Sequence, residues 1–283
     1  MNPFSKLHPL VIFSYYIVTL VLLIWMGHPV LFFLLLILSW LDYGWTVGAV
    51  RTIRTFFYST GAAVLCVVIN PLLNHRGVTL LFYLGDKRIT KEAVAYGGYM
   101  ALLLLGTLFL FSCFSEVMTS EKIMTLSGSR FPSFALLFSM ILRIVPKVKN
   151  DFREMTALHG NRPKVWSALV GKLMEDSVER SMAMKNKGYG SGKRTSCYKR
   201  KLVWQDAAVL GMVCLMAVYV VAMQCVSPVH VRFFPGIRID LFAVRDWILW
   251  IAYLGFPIWM RGKGELAWLL SRRRITGSIM ENR

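Results

Sequence analysis

Apolar stretches recur along this chain at about residues 10–26, 29–41, 56–73, 93–114, 131–145, 207–226 and 247–260. A span across a bilayer needs about 17–25 such residues in a helix, so several runs qualify as they stand. The shorter ones, 29–41 and 247–260, must borrow flanking residues. The composition agrees: 56% of the 283 residues are hydrophobic and the mean hydropathy is +0.53, against about 45–50% apolar in soluble domains. The expectation is an all-α polytopic membrane protein with about six transmembrane helices and a cytoplasmic domain of long amphipathic helices. Lys6 before the first run imitates a signal peptide, but no small-residue cleavage site follows, so the run is expected to be a retained span. Trp40, Tyr43 and Trp45, and Trp247, Trp250 and Trp259, suit aromatic belts at headgroup level.

The net charge is +18, from 33 Lys and Arg against 15 Asp and Glu. In a membrane chain such an excess collects on the cytoplasmic side, so nucleic acid is not an expected partner. The topology turns on residues 131–145, which hold Arg143 and run directly into Pro146 and Lys147. If they do not span, six crossings with both termini cytoplasmic place 26 Lys and Arg inside and 6 outside; a seven-span alternative places 24 inside. Charge alone nearly ties. Arg143 favours a non-spanning helix at the interface, because a charge at the bilayer centre costs about 2.5–3.5 kcal/mol on insertion scales.

Between the fifth and sixth runs the sequence is polar and basic, from Lys147 to Lys201. In it Trp166, Leu169, Val170, Leu173, Met174, Val178 and Met182 recur at spacings of three and four, one stripe of an amphipathic helix. Pro163 suits the first turn and Gly188 the left-handed position just past the end. Upstream, Pro146 reads as the near-start of a polar helix that stops at His159 and Gly160. Each helix thus carries a basic side chain, His159 or Lys187, one residue before a terminating glycine. Two readings stand: the side chains complement the negative ends of helix dipoles, or the tips project charge into a groove on a partner. The stripe needs a cover in either case, and a lipid surface or a partner protein would supply one.

Other chemistries find little support. Gly192-Lys193 imitates the end of a phosphate loop, but Lys187 and Arg194 stand where glycine and a hydroxyl residue are required. Cys66, Cys113, Cys197, Cys214 and Cys225 have no paired spacing, and His8, His28, His75 and His230 lie at predicted span ends, so neither a disulfide framework nor a metal centre is expected. Asn70-Pro71 reads as a local kink. Glu175, Asp176 and Glu179 form the one acidic cluster; it could hold an ion or, as a solvated face, pair with Arg180 and Lys172.

Three segments, residues 70–98, 142–160 and 178–190, follow one another between apolar runs in an order that resembles the transmembrane T component of energy-coupling factor transporters, the ABC-type importers of vitamins and transition-metal ions. In that family two long coupling helices each end in an Ala-Arg-Gly motif whose arginine seats on an ABC ATPase. The resemblance places the first motif on Leu158, His159 and Gly160 and the second on Asn186, Lys187 and Gly188. This chain departs from the pattern at both arginines: lysine lacks the planar fork, and histidine carries little charge near neutral pH. Arg162 is a candidate to take over from His159, with Arg143, Pro146 and Arg153 in supporting places.

The resemblance implies a non-catalytic subunit, without cofactor, in the cytoplasmic membrane of a bacterium or archaeon. Its implied partners are two ABC ATPase subunits, a substrate-binding membrane subunit and the lipid bilayer. The implied organisation is an N-terminal transmembrane region over 1–114, a coupling-helix domain over 115–203, a C-terminal transmembrane region over 204–260 and a basic cytoplasmic tail over 261–283. The alternative is a membrane-embedded metal-dependent enzyme acting on lipid or isoprenoid phosphates, for which Glu175 and Glu179 would be the metal-holding pair. A self-sufficient transporter is a third reading; Asn70, Gln224 and Asp206 are the few internal polar residues available to it.

Overall fold

The computed structural model describes residues 4–74, 77–84, 87–130, 132–160, 162–192, 203–226, 231–233, 238–239 and 242–281. The chain divides into two compact units, Met1–Thr119 with Leu202–Arg283, and Ser120–Lys201.

In the first unit the apolar runs become helices α1 (Pro9–Met26), α2 (Pro29–Val47), α3 (Ala49–Leu73) and α4 (Lys91–Val117). The second unit holds α5 (Ser120–Arg130), α6 (Pro132–His159) and α7 (Arg162–Asn186). The chain then returns to the first unit through α8 (Trp204–Val226) and α9 (Val244–Glu281). Two small antiparallel hairpins, absent from the helical expectation, lie in connections: β1 (Leu80–Leu84) with β2 (Lys87–Thr90), and β3 (Val231–Arg232) with β4 (Arg238–Ile239).

Local signals account for the helix ends. Proline stands at the first position of both α1 and α2, where its missing N–H costs nothing. Gly27, at φ 59°, closes α1 in the left-handed region and lets α2 begin two residues later. Thr90 caps α4 by accepting from the Ala93 N–H at 3.4 Å, and the Thr79 hydroxyl donates to Glu92 at 2.8 Å, fastening the first hairpin to the start of α4. Asp206 accepts from the Val203 N–H at 3.0 Å and from the His8 N–H at 2.8 Å, so one carboxylate joins the starts of α8 and α1.

Five helices of the described residues, α1 to α4 and α8, are long and apolar enough to cross a bilayer. The run expected to be a sixth span lies in α9, which is not among these five: its apolar centre is flanked by Asp246 and Arg261 and diluted by Trp247, Tyr253, Pro257 and Trp259. These lower its hydropathy without shortening the helix, which at 38 residues is about 57 Å long. Pro71 sits inside the final turn of α3.

α4 approaches its neighbours closely at two glycines, as bilayer helices do where small residues let backbones meet. α4 runs against both α2 and α3. A Cβ at Gly106 would stand 3.3 Å from the Phe32 carbonyl oxygen on α2, and one at Gly97 would stand 3.3 Å from the Val67 carbonyl oxygen on α3. Because the neighbours are backbone, they cannot swing aside. Gly106→Val is therefore expected to cost about 1–3 kcal/mol as overpacking, read as a lower melting temperature in detergent. Gly98→Val, where a Cβ meets nothing within 4 Å, is expected to melt like the parent.

Candidate docking helices

α6 and α7 form an antiparallel pair. Lys147 on α6 pairs with Asp176 on α7, and one helical turn along, Asp151 on α6 meets Lys172 on α7 at 3.2 Å. The two rungs have opposite polarity, so each helix carries Lys and Asp four residues apart and the partner carries the complement. Between the rungs and the turn, Phe152 lies against Trp166 with ring centroids 5.1 Å apart. Val165 and Leu169 of α7 are buried.

Pro146 is interior to α6, not near a helix start. This corrects the reading of two separate pieces on either side of it. An internal proline removes one backbone hydrogen bond and crowds the preceding turn, at about 3 kcal/mol. Here helix-favouring sequence on both sides and the rungs to α7, the first of them at Lys147, hold the helix through it.

The proposed tips have defined backbones. α6 stops at His159, and Gly160 follows at φ 62° with its N–H bonded to the Thr156 carbonyl at 3.0 Å, the single-bond left-handed close. α7 stops at Asn186 and closes with two bonds: Gly188 N–H to the Lys185 carbonyl at 2.9 Å, and Tyr189 N–H to the Met184 carbonyl at 3.0 Å. That is the Schellman pattern, with Gly188 at φ 81° in the position reserved for a residue without a Cβ. Asn186, Lys187 and Leu158 are exposed. The side chains of His159 and Arg162 lie outside what the structure describes, as do Lys193 and Arg194. Arg143 and Arg153 are exposed on α6, and Arg153 borders a groove with Phe152, Thr156, Ala157 and Trp166 next to the first tip.

The stripe read from the sequence divides in two. Leu169 turns inward, whereas Trp166, Val170, Met174, Val178 and Met182, at intervals of four, are at least half exposed. A second apolar groove runs between the helices, lined by Ile144, Val145, Val148 and Phe152 of α6 with Trp166 and Leu169 of α7.

The acidic cluster does not act as a unit. Asp176 takes Lys147 and, at 3.4 Å, Arg180; Lys172, expected to serve the cluster, goes to Asp151 instead. Glu175 and Glu179 are exposed. Among the described residues no group of three or more His, Cys, Asp or Glu is placed to hold a metal ion.

The hydrogen bond from Lys147 holds the Asp176 carboxyl below the usual carboxylate range, against an opposing contribution from partial burial. A carboxyl lowered by folding stabilises above its unfolded value, near about 3.9, and loses that contribution as pH falls through the lowered folded value. The stability advantage of the parent over Asp176→Asn, measured by chemical unfolding followed by circular dichroism, is expected to persist at neutral pH and shrink below about pH 4.

A second charged site, which the sequence reading did not single out, is buried in the first unit. Arg261 of α9 meets Asp42 of α2 at 2.9 Å, with side-chain exposures of 3% and 7%. The same guanidinium donates to the Asp42 carbonyl at 2.9 Å and to the Thr46 hydroxyl. One turn further, the Trp45 indole donates to Glu265 at 2.8 Å. The end of α2 is thus fastened to the middle of α9 twice.

Compared with models of known protein families and with proteins of established description, the chain gives no significant match. What its own residues define is a helical protein with several helices fit to cross a membrane, carrying a separate amphipathic helical pair.

Proposed function

We propose that this protein is the non-catalytic coupling subunit of an energy-coupling factor importer. Two ABC ATPase subunits grip the tips of α6 and α7, and the helices pass ATP-driven motion to a substrate-binding membrane subunit that takes up a vitamin or a transition-metal ion. The observation that carries this reading is the separation of the tips. The pair is antiparallel, so the tip at His159 lies beside the start of α7 and the tip at Lys187 lies at its far end. The 25 residues of α7 put about 37 Å between them. Two such tips need two receiving sites, which a pair of ATPases offers.

Three further features fit. The two rungs and the Phe152–Trp166 contact stiffen the pair as a lever requires. The exposed stripe from Trp166 to Met182 provides a repackable surface for the substrate-binding subunit, since thioethers adapt as a partner tilts. The basic excess of residues 115–203 belongs on the cytoplasmic side, where ATP is. In this arrangement six crossings leave both termini in the cytoplasm, with the sixth in α9.

The test is purification of a tagged chain from its native membrane in mild detergent. The expected result is recovery of two ATPase subunits with each copy of this protein. Recovery of the chain alone, from membranes in which the ATPases are expressed, would overturn the proposal.

A further inference from the structure

Four buried side-chain atoms of Tyr16, Asp42 and Arg261 find no hydrogen-bond partner among the described residues: Tyr16 Oη, Asp42 Oδ1, and Arg261 Nε and Nη2. Asp42 Oδ1 stands 2.9 Å from Arg261 Nη1, but that nitrogen directs its hydrogens to the Asp42 carbonyl and the Thr46 hydroxyl. The carboxylate oxygen is therefore attracted by the cation without receiving a directed hydrogen bond from it. Leaving such groups unmet inside a protein is costly, because each has given up its hydrogen bonds to water.

Against Tyr16 and Asp42 lies a cavity of about 20 Å³, walled also by Leu35, Ser39, Cys113 and Leu254. About 10–15 Å³ of such space holds one water. The volume thus suits one water molecule. Tyr16 is 5% exposed and Asp42 also 5%, so bulk solvent does not serve them. The hydroxyl offers a donor and the carboxylate an acceptor, the minimum a bound water requires.

We infer that this cavity is a binding site for a single internal water, which accepts a hydrogen bond from Tyr16 Oη and donates one to Asp42 Oδ1. It ties α1 to the ion pair between α2 and α9, at the place where α4 also contributes Cys113 and Leu110. The site is independent of the docking role of α6 and α7.

The test is an experimental density map of the full chain, in detergent or lipid, at a resolution where other internal waters are visible. One peak is expected within about 2.7–3.2 Å of both Tyr16 Oη and Asp42 Oδ1. In Tyr16→Phe the peak is expected to vanish. A cavity without density in the parent, or a Tyr16 hydroxyl turned onto a protein acceptor, would overturn the inference; so would a peak that persists in Tyr16→Phe. Should that variant fail to fold, the parent map alone decides.

Discussion

Arg261→Ala is expected to be among the most damaging single changes in the first unit. It removes the cation from a carboxylate that is 5% exposed, together with the donor to the Asp42 carbonyl and the Thr46 hydroxyl. Breaking a buried pair from one side costs about 3–5 kcal/mol, because the remaining charge is neither solvated nor paired. The expected result is a large fall in the yield and melting temperature of purified protein. The double variant Asp42→Asn with Arg261→Met is expected to recover most of that loss, since neither charge remains to be desolvated. If Arg261→Ala melted like the parent, or if the double variant were as unstable as the single, Asp42 would not depend on Arg261 as described.

Placing a carboxylate at both tips, with His159→Glu and Lys187→Glu together, is expected to abolish recovery of the ATPases and uptake while leaving the helical pair folded. Both positions lie at helix ends, and no internal ion pair of the described residues uses Lys187. Close charge pairs across an interface are worth about 1.5–7 kcal/mol in measured cycles. Each 1.4 kcal/mol is about tenfold in affinity. Losing two contacts would thus take a complex of ordinary strength below detection on a column. Lys149→Glu, an exposed change on α6 away from both tips, is expected to leave recovery intact. Equal recovery of ATPases with the double variant would reduce His159 and Lys187 to helix punctuation.

The helical architecture was legible because long apolar runs admit little else, and the two stops were legible because glycine takes positive φ without strain. Gly160 and Gly188 occupy that region. Three features were harder to read. Pro146 suggests a boundary on local rules, but a helix of 28 residues packed against a neighbour runs through it. The first hairpin carries a short-range cue, Leu-Leu-Phe-Tyr-Leu and Lys-Arg-Ile-Thr on either side of Gly85-Asp86, which is easily absorbed into a stretch between two spans. The pair of Asp42 and Arg261 is separated by 219 residues. Each alone looks like the charged edge of an apolar run, and only the packing of α2 on α9 reveals them as partners. The rungs between α6 and α7 left a fainter trace, Lys147 with Asp151 and Lys172 with Asp176, each four apart and in one order. Read singly these are ordinary intrahelical spacings; read antiparallel, they are complementary.

The coupling role requires that α6 and α7 face the compartment that holds ATP, and sidedness decides it. With the native cysteines replaced by alanine, Ser177→Cys on the exposed surface of α7 gives one labelling site. A membrane-impermeant maleimide is expected to label it in inside-out vesicles and to leave it untouched in intact cells. Labelling from the outside of intact cells would place the helical pair where no ATPase can reach it and would contradict the account.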